Sequence, residues 1–239
     1  MANKPLFIVF EGGEASGKTS ISTLMSRALT SAGIPNIWTR EPGGIQESEE
    51  IRELILKDRE SPLSGLTEAY LFAASRAAHL EKVVKPALLE GKWVIMDRYF
   101  YSSLSYQGVG RRVGFDTVYE INEPLIHQAQ PDVAFYLNPP LETRLNRLKN
   151  REGSLLNRLD RESVEFMRLV DSGYERCKEF SEFIEVDSDF SPVSITTVCF
   201  GKLLRRKLID DVRADAVCAS LNSLKEKEGV YERICEHCS

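Results

Sequence analysis

Phe10-Glu-Gly12-Gly-Glu14-Ala-Ser16-Gly17-Lys18-Thr19 fits Gly-x4-Gly-Lys-Ser/Thr through Gly12, Gly17, Lys18 and Thr19. Ahead of it, Leu6 to Phe10 is an apolar run rich in strand formers. Behind it, Ile21, Leu24, Met25 and Leu29 recur at helical spacing. This is the strand–loop–helix frame of a phosphate-binding loop. Glycines let the backbone turn so that several N–H groups face one anion, and the next helix adds its positive end. Lys18 is placed to reach β- and γ-phosphates, and the Thr19 hydroxyl to ligate Mg²⁺. A glycine-rich turn that binds nothing is the bland alternative, and the full motif in its frame speaks against it.

Working outward, strand-like runs recur at Leu6–Phe10, Ile34–Thr39, Trp93–Asp97, Asp132–Leu137 and Phe183–Asp187, with helical patterns between them. The alternation predicts an α/β fold of three layers, a five-stranded parallel sheet with helices on both faces, and the loop motif at its start makes it a P-loop NTPase fold. Ligands in such sheets lie beyond the carboxyl ends of the strands. Arg40 precedes the turn Glu41-Pro42-Gly43-Gly44 and is either a solvated arginine or a cation aimed at a phosphate. Leu66 to Leu89 reads as helix, with Phe72, Arg76 and His79 on one face and His79 expected to be partly exposed. Asp97 ends the third strand, where a second carboxylate near Mg²⁺ belongs, and Arg98 comes directly after it; a surface ion pair is the alternative. Ser102, Ser103, Ser105, Tyr106 and Gln107 offer hydroxyls, an amide and a ring. The basic run Arg144, Arg147, Lys149, Arg151 and Arg158 is either a solvated face or a lid whose arginines close over a triphosphate. Asp160 to Glu182 reads as helix again.

The chain has 239 residues, 42% hydrophobic and 28% charged, with net charge −5. That balance suits a globular protein and argues against a main role in binding nucleic acid. No apolar run is long enough for a membrane span, and five cysteines without a leader point to the cytoplasm and reduced thiols.

Together, Phe10-Glu-Gly12 with Gly17-Lys18-Thr19, Arg40-Glu-Pro42-Gly43-Gly44, Phe72-Ala-Ala-Ser-Arg76, Asp97-Arg98-Tyr99, and Ser102-Ser103 with Tyr106-Gln107-Gly108 resemble bacterial-type thymidylate kinases. The resemblance implies transfer of phosphate from ATP to dTMP with Mg²⁺, giving dTDP for DNA synthesis, in a cytoplasmic homodimer. It implies that Gly12, Gly13, Glu14, Ala15, Ser16, Gly17, Lys18, Thr19, Ser20 and Arg147 hold ATP, and that Thr19 and Asp97 hold Mg²⁺. For dTMP it implies Phe72 stacked on the base, Arg76 bonded to it, and Ser103, Tyr106 and Gln107 lining the rest. Arg40 and Arg98 would grip the phosphate, and Glu14 would face the deoxyribose or the acceptor's surroundings. Lys18, Asp97, Arg98, Glu14, Arg151 and Arg158 would form the catalytic set, with the kinase domain over 1–208 and its lid at about 147–160. Two functional alternatives stay open: a kinase for another nucleoside monophosphate, and a catalytically inactive nucleotide-binding regulatory protein.

Three features depart from the pattern. The lid reads Arg151-Glu-Gly-Ser-Leu-Leu-Asn157-Arg158, longer than the family's, with Asn157 where an aspartate is usual. Tyr101 is bulky and expected beside the base pocket. The extension 209–239, helical or flexible, carries Cys218, Cys235, His237 and Cys238, either a zinc set or reduced thiols. Val212, Val217, Leu221 and Leu224 would share an apolar helix face.

Overall fold

Strand formers and short turns give the chain a central sheet. A computed structural model describes residues 4–150 and 158–235, except the side chains of Asp160 and of 225–235. The strands are β1 Phe7–Glu11, β2 Asn36–Arg40, β3 Trp93–Asp97, β4 Val133–Leu137 and β5 Phe183–Val186, each within two residues of its expected bounds. They form one parallel sheet in the order β2-β3-β1-β4-β5. β1 is central, so its carboxyl end opens where the strand order reverses, which is where such sheets bind ligands.

The helices are α1 Lys18–Ser31, α2 Gln46–Leu56, α3 Gly65–His79, α4 Lys85–Leu89, α5 Phe100–Ser103, α6 Phe115–Ile126, α7 Leu141–Lys149, α8 Val164–Cys177, α9 Pro192–Arg205 and α10 Asp211–Cys235. π-helical segments at Leu80–Val84 and Leu104–Gly110 continue directly from α3 and α5. The helix expected from Asp160 to Glu182 is shorter. Ser163 caps α8 by accepting from Phe166 N at 3.1 Å, and a short 3₁₀ turn precedes it at Leu159–Arg161.

Alternation along the strands splits the core into two. Phe7, Val9, Val94, Met96, Ala134 and Tyr136 face α6 and α8, where Val118, Val170 and Tyr174 meet them. Ile8, Phe10, Ile95, Phe135 and Leu137 face the other way, toward Ile21 and Met25 of α1 and Phe200 of α9. α10 packs on α1 and α9 through Ala214, Val217, Leu221 and Leu224. Val212, expected on that face, is instead 78% exposed, because the buried stripe runs through Ala214. Among the described residues no helix is long and apolar enough to cross a membrane.

Candidate active site

β1 runs straight into the glycine-rich loop. Gly12 has φ +147°, and a Cβ there would lie 2.5 Å from the Leu137 carbonyl oxygen. Gly17, at φ +97°, delivers the chain into α1. Lys18 is buried, and its Nζ donates to Gly13 O at 2.8 Å and to Ser16 Oγ at 3.3 Å. Burial first, and then the nearby Arg98 charge, pull the Lys18 pKa down to about 8. Thr19 Oγ1 donates to Asp97 Oδ2 at 2.5 Å, while Asp97 Oδ1 is buried with no partner.

Arg98, next to Asp97, adopts a left-handed conformation, φ +70°. That turn aims its guanidinium back across the loop. Nη2 donates to Glu14 Oε1 at 2.6 Å, and Nη1 donates to Gly12 O and Ser102 Oγ at 3.1 Å each. Below it lies Glu11, fully buried, which accepts from Tyr99 N at 2.7 Å, Ser102 Oγ at 2.6 Å and Tyr174 OH at 3.1 Å. Burial pushes the Glu11 pKa up. The surface-pair alternative for Asp97 and Arg98 is thereby excluded.

A pocket opens beside Arg98, lined by Phe72, Arg76, Tyr99, Ser103, Tyr106 and Gln107, among others. Arg76 is 2% exposed; Nε donates to Glu41 Oε2 at 2.7 Å, and Nη1 is bonded to Asn122 and Ser103. His79, expected to be partly exposed, is fully buried, because Thr39 Oγ1 and Glu41 engage its two ring nitrogens. Tyr101 is not beside the pocket: its ring lies in the core 3.9 Å from Phe100, and its hydroxyl donates to Glu182 at 2.7 Å. In α5 the next residues, Ser102 and Ser103, take the pocket side.

A second pocket is lined by Ala15, Gly17, Lys18, Thr19, Ser20, Arg40 and Asp97. Glu14, Glu41, Arg52 and Arg98 line both pockets, so the two adjoin. Arg40 is there but engaged, donating to both Glu49 oxygens at 2.8 and 3.0 Å. Arg147 of α7 reaches the loop, donating to Ala15 O at 3.2 Å. Arg158 is not brought to the loop; it donates to Glu68 Oε1 at 2.6 Å. Arg151 and Asn157 lie outside the described residues, as do His237, Cys238 and the Cys235 side chain. Among the described residues no group of three or more His, Cys, Asp or Glu side chains is placed to hold a metal ion.

Sequence reasoning missed Arg52, Glu41, Asn122 and the supporting Glu11 and Tyr174. Arg52 had a faint signal, a single cation in the acidic helix α2. Asn122 had none, since it arrives from α6.

A family model described as Thymidylate kinase matches residues 10–195. The chain is 41% identical over 213 residues to a thymidylate kinase of Leuconostoc mesenteroides, covering 88% of this chain and 94% of that protein. It is 45% identical to one of Bacillus licheniformis, covering 71% and 80% respectively. For one of Clostridium novyi the identity is 44%, covering 74% and 86%.

Proposed function

The chain belongs to the thymidylate kinase family, and on that premise we propose how its residues perform the phosphorylation of dTMP. The donor is ATP, its phosphates in the loop from Gly12 to Ser20, with Lys18 between β and γ. dTMP occupies the adjoining pocket, its base against Phe72 and Arg76, with Ser103, Tyr106 and Gln107 around it. The observation that carries this reading is Arg98. Its positive φ sets it in the wall shared by the two pockets, where the phosphates of donor and acceptor meet.

An oxygen of the dTMP phosphate attacks the γ-phosphorus. The new P–O bond forms as the bond to the β-bridging oxygen breaks, and ADP leaves with that electron pair. The acceptor is already ionised at neutral pH, so placement and charge stabilisation are what the protein must supply. Lys18 and Arg98 neutralise charge, with Arg40 on the acceptor side and Glu14 holding Arg98 in line. Arg147, already at Ala15, closes the donor side; Arg151 and Arg158 are the further cations proposed for the transferred phosphate.

Thr19 and Asp97 fit Mg²⁺: a hydroxyl and a carboxylate meet here, and Asp97 Oδ1 is a buried oxygen awaiting a partner. When bound, the ion neutralises β- and γ-phosphate charge. The outer side of α3, where Tyr70 is 58% exposed and Ala74 is exposed beside it, supports a homodimer. The 1–208 unit with the 209–239 extension, a cytoplasmic setting and no role in binding nucleic acid complete the proposal.

The test is ADP release with Mg²⁺-ATP, offering dTMP, dUMP, dCMP, dGMP, dAMP and UMP in turn. Strong preference for dTMP is expected. Preference for another acceptor would overturn the base assignments, and ATP binding without any turnover would overturn the kinase reading.

A further inference from the structure

The pocket beside Arg98 contains a buried amide, that of Gln107, held by a side chain from outside the pocket. Gln107 is 1% exposed, and its Nε2 donates to Glu68 Oε2 at 3.2 Å. A carboxylate oxygen accepts and does not donate, so this contact tells the two ends of the amide apart. The NH₂ end faces Glu68. Oε1 has no partner among the described residues and is not one of the buried orphaned atoms, so it is open to the pocket that Gln107 lines. Glu68 is itself clamped one turn before Phe72 on α3. Arg111 Nε donates to its Oε2 at 3.3 Å and Arg158 Nη2 to its Oε1 at 2.6 Å.

The pocket thus presents an acceptor at Gln107 and, at Arg76, a donor. Arg76 Nε and Nη1 are committed to Glu41, Asn122 and Ser103, and Nη2 keeps one N–H beyond its bond to Ser103. Thymine offers the matching edge, an N3–H that donates and an O4 that accepts. Cytosine offers the reverse, an N3 that accepts and an N4 amine that donates.

We propose that Glu68 is a positioning residue for acceptor specificity: it fixes the Gln107 amide in the orientation that accepts from thymine N3–H, and so rejects cytosine. This rests on the dTMP reading above. Without the carboxylate the amide can turn over and present its NH₂ to a cytosine N3.

The test compares kcat/KM for dTMP and for dCMP in wild type, Glu68→Gln and Glu68→Asp, with Tm measured for each. Glu68→Gln keeps the shape but offers Gln107 a group that either donates or accepts. Glu68→Asp keeps the charge for Arg111 and Arg158 and withdraws the carboxylate from Gln107 by one methylene. In both, the dCMP/dTMP ratio of kcat/KM is expected to rise at least about tenfold, the weight of one buried hydrogen bond made or misplaced. A merely structural role would lower both values by one common factor. An unchanged ratio in a folded variant overturns the proposal, and should Glu68→Gln not fold, Glu68→Asp decides. Failure of the wild type to use dTMP would instead overturn the kinase reading.

Discussion

Tyr174→Phe removes a single oxygen from the ground under the active site. The ring, stacked 4.9 Å from Tyr136, keeps its packing, so no cavity beyond the hydroxyl forms. That hydroxyl lies 3.1 Å from both Glu11 Oε2 and Gly12 O, 2.9 Å from Ser102 Oγ and 3.4 Å from Arg98 Nη1. It carries one proton, so it donates once, to the carboxylate or to the carbonyl, and it accepts from Arg98 Nη1. A hydrogen bond to a charged group contributes about 1.5–3 kcal/mol, and both possible acceptors are buried. The expected loss is about 2–3 kcal/mol in urea unfolding. At roughly 2–4 °C per kcal/mol for a chain of this size, calorimetry should show Tm lower by about 4–12 °C. Arg98 keeps Glu14, Gly12 O and Ser102, so kcat should fall less than about tenfold, far below the loss for a residue touching the phosphates. A Tm within about 2 °C of wild type would refute the reasoning, since it would mean that losing the hydroxyl leaves no unpaired group at this buried position.

Lys18→Ala should lower kcat by about 10²–10³-fold or more while the fold survives, as checked by steady-state kinetics and circular dichroism. With its pKa near 8, Lys18 is charged below that pH and neutral above it, so donor kcat/KM should decline as pH rises through about 8, and that limb should be missing in Lys18→Ala. Truncation after Leu208 removes Ala214, Val217, Leu221 and Leu224 from the α1–α9 face and should lower Tm and increase binding of a hydrophobic dye. No change in either would mean that α10 adds nothing to that core.

Most of the architecture is legible from local pattern. The inner strands β1, β3 and β4 announce themselves because a parallel sheet buried on both faces leaves apolar runs, and Gly12 to Thr19 marks the loop and helix start after β1. The order of the strands is not written locally, nor is the depth of His79, which depends on Thr39 and Glu41 arriving from another element. The place of Tyr101 escapes the sequence for the same reason. In a short helix, adjacent residues face different ways, and only the position of Phe180 and Phe183 shows which way is core. Arg76 is recognisable as a pocket residue, but its partners Glu41 and Asn122 are long-range and carry no motif. Arg158 is expected at the phosphates, and in this structure a buried carboxylate has claimed it.

The strand order bears on how the protein comes off the ribosome. β1 and β2 are made first, yet they do not pair with each other; each pairs with β3. Until Trp93–Asp97 has emerged, the nascent chain therefore carries two strand segments, the apolar β1 among them, and no sheet, with backbone groups seeking partners. The arrival of one five-residue strand then closes both ladders at once. A pause in translation just before residue 93 would prolong the interval in which the chain is most prone to stick to others, and one placed after Asp97 would be far safer.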